Sequence, residues 1–231
     1  MKFSNHPNQS ILKTSFGDEN APLLVVDNFI DHAEMLIDDA ANRNFCRNSA
    51  YYPGIRAEVP EAYKPFIINS LGKVLIEVFN ISAAKLKFTL GQYSIVTTPP
   101  DQLHILQRIP HFDSTDRDGL AAIHYLFKKD LGGTSFYRHR KTGYESIDES
   151  RRMSYLRSLE GENGTSNMPA HGYIYGDTPL YTQIGHQEGV FNRLVVYRRN
   201  YLHSGSIAPS FVPDSSPRDG RLTITCFIDP A

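Results

Sequence analysis

The chain has 231 residues, a formal net charge of −1 and a pI near 6.8. That length suits one medium-sized domain, or one domain with a sizeable insertion. The balanced charge offers no basic field for nucleic acid and no polybasic membrane patch, and no stretch approaches the ~18 apolar residues a span needs.

Two cysteines, Cys46 and Cys226, make no disulfide framework, so a reducing cytoplasmic setting is expected. The polar start, Met1 to Ser10, lacks the apolar core of a signal peptide. Residues 1–20 read as a loose lead-in. Ala21 to Ile30 reads as a buried strand, after which Asp31 is placed to cap a helix from about His32 to Asn44. Tyr51 to Arg56 has Pro-Gly turn chemistry and reads as a loop. Pro60 to Phe79 carries Phe66, Ile67, Leu71, Val74, Leu75 and Phe79 on one helical stripe.

From Lys85 the texture changes to short β-rich runs. They are Lys85–Val96, Leu103–Phe112, Leu120–Phe127, Thr134–Tyr137, Arg193–Tyr197 and Leu222–Ile228. Gly, Pro and Asp separate them, the pattern of a β-sandwich or barrel. Helices followed by such a core predict an α+β arrangement with the N-terminal helices packed against the β-core. Residues 138–190 stand apart as an insertion with a helix at about Ile147–Leu159, too long for a plain connection and so a lid or an interaction element. Its opening run, Arg138-His139-Arg140-Lys141, reads as a solvated loop face.

Chemistry concentrates at His111-Phe112-Asp113. On a strand, residues i and i+2 share a face, so the imidazole and carboxylate point together and Phe112 points away. A third ligand must come from elsewhere. His203 is preferred because it follows an apolar strand and precedes a strand opened by Arg221. His171 and His186 lie in the intervening stretch, and His186 reads as loop. Two imidazoles and one carboxylate on one face of a metal leave the other face open, as in a non-haem Fe(II) oxygenase. Arg221, Thr223 and Thr225 alternate with apolar Leu222 and Ile224, a polar stripe suited to an acidic cosubstrate. Arg218 is the alternative guanidinium. His124 and His104 read as structural, Cys226 as a small core residue, and Tyr51, Tyr52 and Arg56 as either mouth-lining or surface loop.

These segments resemble the 2-oxoglutarate- and Fe(II)-dependent dioxygenase superfamily. The resemblance is carried by Arg108–Asp113, Ala121–Phe127, Leu131–Tyr137, Tyr201–Gly205 and Gly220–Ile224, and spans about Gln92 to Asp229. Within it the chain looks similar to a bacterial branch without an assigned substrate. The resemblance implies a double-stranded β-helix (a jelly-roll, cupin-like core). It implies Fe(II) on His111, Asp113 and His203, with the distal carboxylate of 2-oxoglutarate on Arg221 helped by Tyr93 and Thr223. It further implies hydroxylation of a small molecule, amino acid or peptidyl side chain. Two readings compete: a jelly-roll protein that binds a metal or small acid without catalysis, and a cupin-like Zn or Mn enzyme. Open sheet edges make a homodimer an expectation.

Overall fold

The computed structural model describes residues 1–82 and 85–231. In chain order the strands are β1 (Ser10–Phe16), β2 (Ala21–Asp27), β3 (Gly54–Glu58), β4 (Leu86–Val96), β5 (Leu120–Tyr125), β6 (Gly133–His139), β7 (Tyr181–Glu188), β8 (Leu194–Arg198), β9 (His203–Ser206) and β10 (Leu222–Pro230). The helices are α1 (Glu34–Ala41), α2 (Tyr63–Val78) and α3 (Glu149–Glu160). A seven-stranded sheet runs β1-β2-β8-β5-β10-β4-β3 and a three-stranded sheet runs β7-β6-β9. All their pairings are antiparallel. The architecture is α+β, as the sequence predicts.

The central strands β2, β8, β5 and β10 are buried on both faces, which explains their nearly continuous apolar runs. Leu24 and Val26 of β2, Leu194 and Val196 of β8, and Leu222, Ile224 and Cys226 of β10 face the helices. There they meet Leu36, Ile37 and Ala40 of α1, and Ile67, Leu71 and Leu75 of α2. The i, i+4 spacing on α2 is the apolar stripe read from sequence. The alternate residues, Leu23, Val25, Ala121, Tyr125, Val195 and Tyr197, face the small sheet and pack on Phe16 and Phe136. No helix among the described residues is long and apolar enough to cross a membrane.

Several local expectations change. Residues 1–20 are not loose: β1 pairs with β2 from Ser10↔Asp27 to Phe16↔Ala21. Asp31 does not cap α1. The N-cap is Ala33, and a left-handed His32 (φ 52°) sets Asp31 apart from the first turn. Residues 103–112 do not form a strand. Ile105–Gln107 is a 3₁₀ turn capped by His104, whose ring accepts from the Leu106 N–H, and His111 makes a single bridge to His203. The supposed Tyr51–Arg56 loop ends in β3, an edge strand.

The 138–190 segment also divides. Its first residues complete β6 and its last form β7, so the excursion outside the sheets runs over 140–180. The basic run is half solvated: Arg140 and Lys141 are exposed, although each of its three cations is also paired. Arg138 binds buried Glu145, Arg140 meets Asp177 at 2.9 Å, Lys141 meets Glu162 at 3.3 Å, and His139 is buried. Asp148 caps α3 by accepting the Arg151 N–H at 3.1 Å, and also pairs with Arg117.

Candidate metal centre and cavity

The small sheet and the bridge at His111 build the centre. His111 and His203 exchange both backbone hydrogen bonds, each 2.9 Å, so they are directly opposed and project to the same side. Their ring centroids lie 4.4 Å apart. Asp113 is brought alongside after a bend, where its N–H donates to the Arg199 carbonyl at 2.8 Å. Its Oδ2 is 3.4 Å from His203 Nε2 and its Oδ1 is 3.7 Å from His111 Nε2. One potential ligand atom from each of the three residues lies within 4.8 Å of the others. The three residues named from sequence do come together, by cross-strand opposition and a bend rather than by strand alternation.

The tautomer of His203 follows from its partner. Nδ1 is 2.9 Å from the Tyr201 carbonyl, which only accepts, so Nδ1 carries the proton and Nε2 presents a lone pair towards Asp113. About half of the His111 side chain opens to the cavity (53%), while the rest is packed. That packing and the neighbouring His203 imidazole pull its pKa down to about 4 despite Asp113, leaving a neutral donor. Two imidazole nitrogens and a carboxylate suit a divalent transition metal, Fe(II) among them.

The centre faces a cavity of about 560 Å³ between the two sheets. Arg221, Thr223, Thr225 and Phe227 line it from the β10 end. Arg221 is 6% exposed and is held by the loop before β6: Nε donates to the Leu131 carbonyl at 2.9 Å and Nη2 to the Gly133 carbonyl at 2.7 Å. Of five guanidinium N–H donors, two are thus used and the other three remain. The loop requires glycine. Gly132 has φ +82°, and a Cβ would sit 1.9 Å from the Ser206 carbonyl oxygen; one at Gly133 would sit 1.9 Å from that of Gln187.

Tyr93 is the placement that differs. Its partner on β10 is Ile224, which faces the helices, so Tyr93 does too. Its hydroxyl donates to Asp39 at 3.1 Å, on the far side of the sheet from the cavity. Thr223 pairs with Ser94 and Tyr125 and does line the cavity. Arg218 makes a surface pair with Asp38 at 2.8 Å and does not compete with Arg221. His186 lies on β7 against Ser135 at 2.9 Å, outside the triad. His124 is buried and satisfied: Tyr63 OH is 3.0 Å from Nδ1 and Asn192 Oδ1 is 3.1 Å from Nε2.

The sequence reading missed two contributors, Thr134 and Phe112. The hydroxyls of Thr134 and Tyr125 pair at 2.7 Å, with Thr134 on the cavity wall. Phe112 also lines the cavity and packs edge-on against Tyr155 of α3. Leu156, Leu159 and Tyr173 close one side, so the 140–180 excursion forms part of the wall. The signal available for the first of these was that Thr134 shares a strand face with apolar Phe136.

Two solved structures share this fold. HygX from Streptomyces hygroscopicus, solved with nickel, 2-oxoglutarate and hygromycin B bound, has a TM-score of 0.50 at 9% identity, covering 92% of this chain and 84% of that one. SnoN, the non-haem α-ketoglutarate-dependent epimerase from nogalamycin biosynthesis, has a TM-score of 0.53 at 9% identity, covering 90% of this chain and 78% of that one. At such identities the likeness is one of fold. No curated protein matches the chain in sequence. The chain belongs to the family described as a family of unknown function, DUF6445, whose profile matches residues 7–228.

Proposed function

We propose that this chain is an Fe(II)- and 2-oxoglutarate-dependent oxygenase, its two sheets forming a double-stranded β-helix and residues 1–231 acting as one catalytic domain. The observation that carries the reading is the convergence of His111, Asp113 and His203 at a cavity walled by Arg221. The shared fold with 2-oxoglutarate-dependent enzymes supports it.

When bound, Fe(II) would supply the redox chemistry by which dioxygen oxidises both 2-oxoglutarate, to succinate and carbon dioxide, and a substrate C–H bond, to C–OH, one oxygen atom going to each. The chain supplies the rest. His111 and His203 present Nε2 lone pairs, and the Tyr201 carbonyl fixes the His203 ring so that no reorientation is needed on loading. Asp113 offsets one charge of the dication. Arg221 grips the distal carboxylate of 2-oxoglutarate with the donors left free, and its plane is set in advance by Leu131 and Gly133. Thr223 spends its hydroxyl proton only on a long hydrogen bond of 3.4 Å to the Ser94 carbonyl, a weak hold from which it can turn to donate to the carboxylate. Ile109, Phe112 and Phe227 keep the cavity dry around these groups. The substrate class is a small molecule, amino acid or peptidyl side chain.

Anaerobic titration with Fe(II), followed by turnover once dioxygen is admitted, tests the reading. One Fe(II) per chain and Fe(II)-dependent conversion of 2-oxoglutarate to succinate are expected, both lost in Asp113→Ala and His203→Ala variants of unchanged melting temperature. Undiminished metal stoichiometry in Asp113→Ala would end it. Metal binding and 2-oxoglutarate affinity without turnover would favour a binding protein instead.

A further inference from the structure

We propose that Arg56 is the docking point for a carboxylate of the substrate, which makes the molecule oxidised here an organic monoanion with an apolar body. This rests on the assignment of the triad and Arg221 above and adds the substrate class to it.

Arg56 occupies the third position of β3 and pairs with Ser94, which pairs in turn with Thr223. Opposed residues share a face, so Arg56 belongs to the same polar row as Thr223 and lines the same cavity. Its guanidinium carbon lies 4.2 Å from the Tyr52 ring centroid, which holds the fork in one plane. Its Nε is buried without a hydrogen-bond partner among the described residues, and so is the Tyr52 hydroxyl. Other arginines of the sheet differ in having a carboxylate partner: Arg193 pairs with Asp27, and Arg199, whose Nε is likewise buried without a hydrogen bond among the described residues, pairs with Asp229. Burial draws the Arg56 pKa below its usual value, and the carboxylate that acts on it is Asp113, at a distance longer than an ion pair. In the proposed complex that carboxylate is committed to the metal.

Charge counting then favours an anion. A metal dication, Asp113, the two carboxylates of 2-oxoglutarate and Arg221 sum to neutrality. Arg56 remains as one uncompensated cation in a largely apolar wall, an arrangement that is costly until an anion arrives. Tyr52 lies within reach of both the Arg221 and Arg56 charges, so it marks the ground between cosubstrate and substrate. Beyond Arg56 the walls are Ile109, Phe112, Leu156 and Phe227, which call for an apolar body rather than a second charge.

The test uses 3-phenylpropanoate and its neutral isostere 3-phenylpropanamide as calorimetric probes. They are titrated into anaerobic protein loaded with Fe(II) and saturating 2-oxoglutarate. The acid is expected to bind at least about tenfold tighter than the amide, a preference lost in Arg56→Gln and partly kept in Arg56→Lys. Because the cation has no partner to lose, Arg56→Gln should melt no lower than the wild type. The 2-oxoglutarate affinity should fall further in Arg221→Gln than in Arg56→Gln. Equal binding of acid and amide, binding of neither, a preference that survives in Arg56→Gln, or a reversed order of the two arginines for 2-oxoglutarate would each overturn the proposal. If the chain takes up neither Fe(II) nor 2-oxoglutarate, the underlying reading fails separately. The acid-to-amide ratio on the metal-free chain then still decides whether Arg56 is an anion site.

Discussion

On the helix-covered face of the seven-stranded sheet, buried polar groups are met by the protein itself. His124 sits between Tyr63 and Asn192, and Tyr93 donates to Asp39. On the opposite face, towards the cavity, some are not. Arg56 and Tyr52 have buried atoms without partners among the described residues, and Arg221 keeps donors in hand. Both faces are built from the same strands with the same alternation, so the contrast is not one of fold. A buried polar group left unsatisfied is costly, and it persists where a ligand completes it. The helix face stabilises the chain, and the cavity face is prepared to bind.

That contrast predicts opposite phenotypes. The largest effect is expected for Arg221→Gln, which should weaken 2-oxoglutarate binding by about 2–5 kcal/mol, roughly 30-fold to several thousand-fold in Kd by calorimetry. Arg221→Lys keeps the charge but not the fork and should fall between. A Kd unchanged in both would place the cosubstrate elsewhere and blur the distinction between the faces.

On the helix face the signature is in stability and its pH dependence. Asn192 Oδ1 accepts from the Ile30 N–H, so it must also accept from His124 Nε2–H, which leaves Nδ1 to accept from Tyr63. The ring is therefore neutral, and burial holds its pKa at about 4 rather than 6.5. Between those values the unfolded chain binds the extra proton, so stability rises with pH and is lost as pH falls from 6.5 towards 4. The loss amounts to at most about 3 kcal/mol. Denaturation of wild type and His124→Phe across that range isolates it, since the variant lacks this slope. At neutral pH the variant itself should lose about 2 kcal/mol, because the Tyr63 hydroxyl is left buried without a partner.

How much of this was legible beforehand depended on whether the signal was local. The α2 stripe of Ile67, Leu71 and Leu75 and the alternation of β10 repeat at fixed spacing and could be read directly. The triad was found from the residue types, yet the reason they meet, His111 opposing His203, is a pairing that no single segment encodes. Strands β1 and β7 escaped because each is an edge strand with one open side, and neither has clean apolar alternation. The run from Leu103 to Phe112 imitated a strand by its apolar content, although it turns at Ile105–Gln107. Tyr93 was assigned to the wrong face because the register with Ile224 decides its side, and register is set by the partner strand.

A smaller effect tests whether the excursion over 140–180 belongs with the cavity face. Asp148 caps α3 and pairs with Arg117, and its hydrogen bonds, led by that from Ser150, hold its carboxyl well below the usual range. Asp148→Ala should cost about 1–2 kcal/mol. Because the group is depressed in the folded chain, its contribution is present at neutral pH and disappears as pH falls below about 4. Leu156 and Leu159 hang on the same helix, so the variant should also weaken 3-phenylpropanoate binding. Lost stability with undiminished probe binding would separate α3 from the site.

The smallest effect is the sharpest test of the two faces, because it concerns the residue whose side only register decides. Tyr93→Phe deletes one hydroxyl and no volume. Its partner Asp39 keeps Arg43 at 2.9 Å, so removing the hydroxyl strands no charge. The expected cost is about 1 kcal/mol in urea denaturation, the net worth of an ordinary hydrogen bond, because Arg43 already holds the Asp39 charge. The Kd for 2-oxoglutarate should stay at the wild-type value, since Ile224 fixes Tyr93 towards α1 and away from Arg221. A tenfold weaker cosubstrate affinity in Tyr93→Phe, with little loss of stability, would mean that β4 pairs with β10 one residue out of register in the working protein. That slip would carry Ser94 away from Thr223 and Arg56 away from the cavity with it, since a shift of one residue moves every side chain on a strand to the other face.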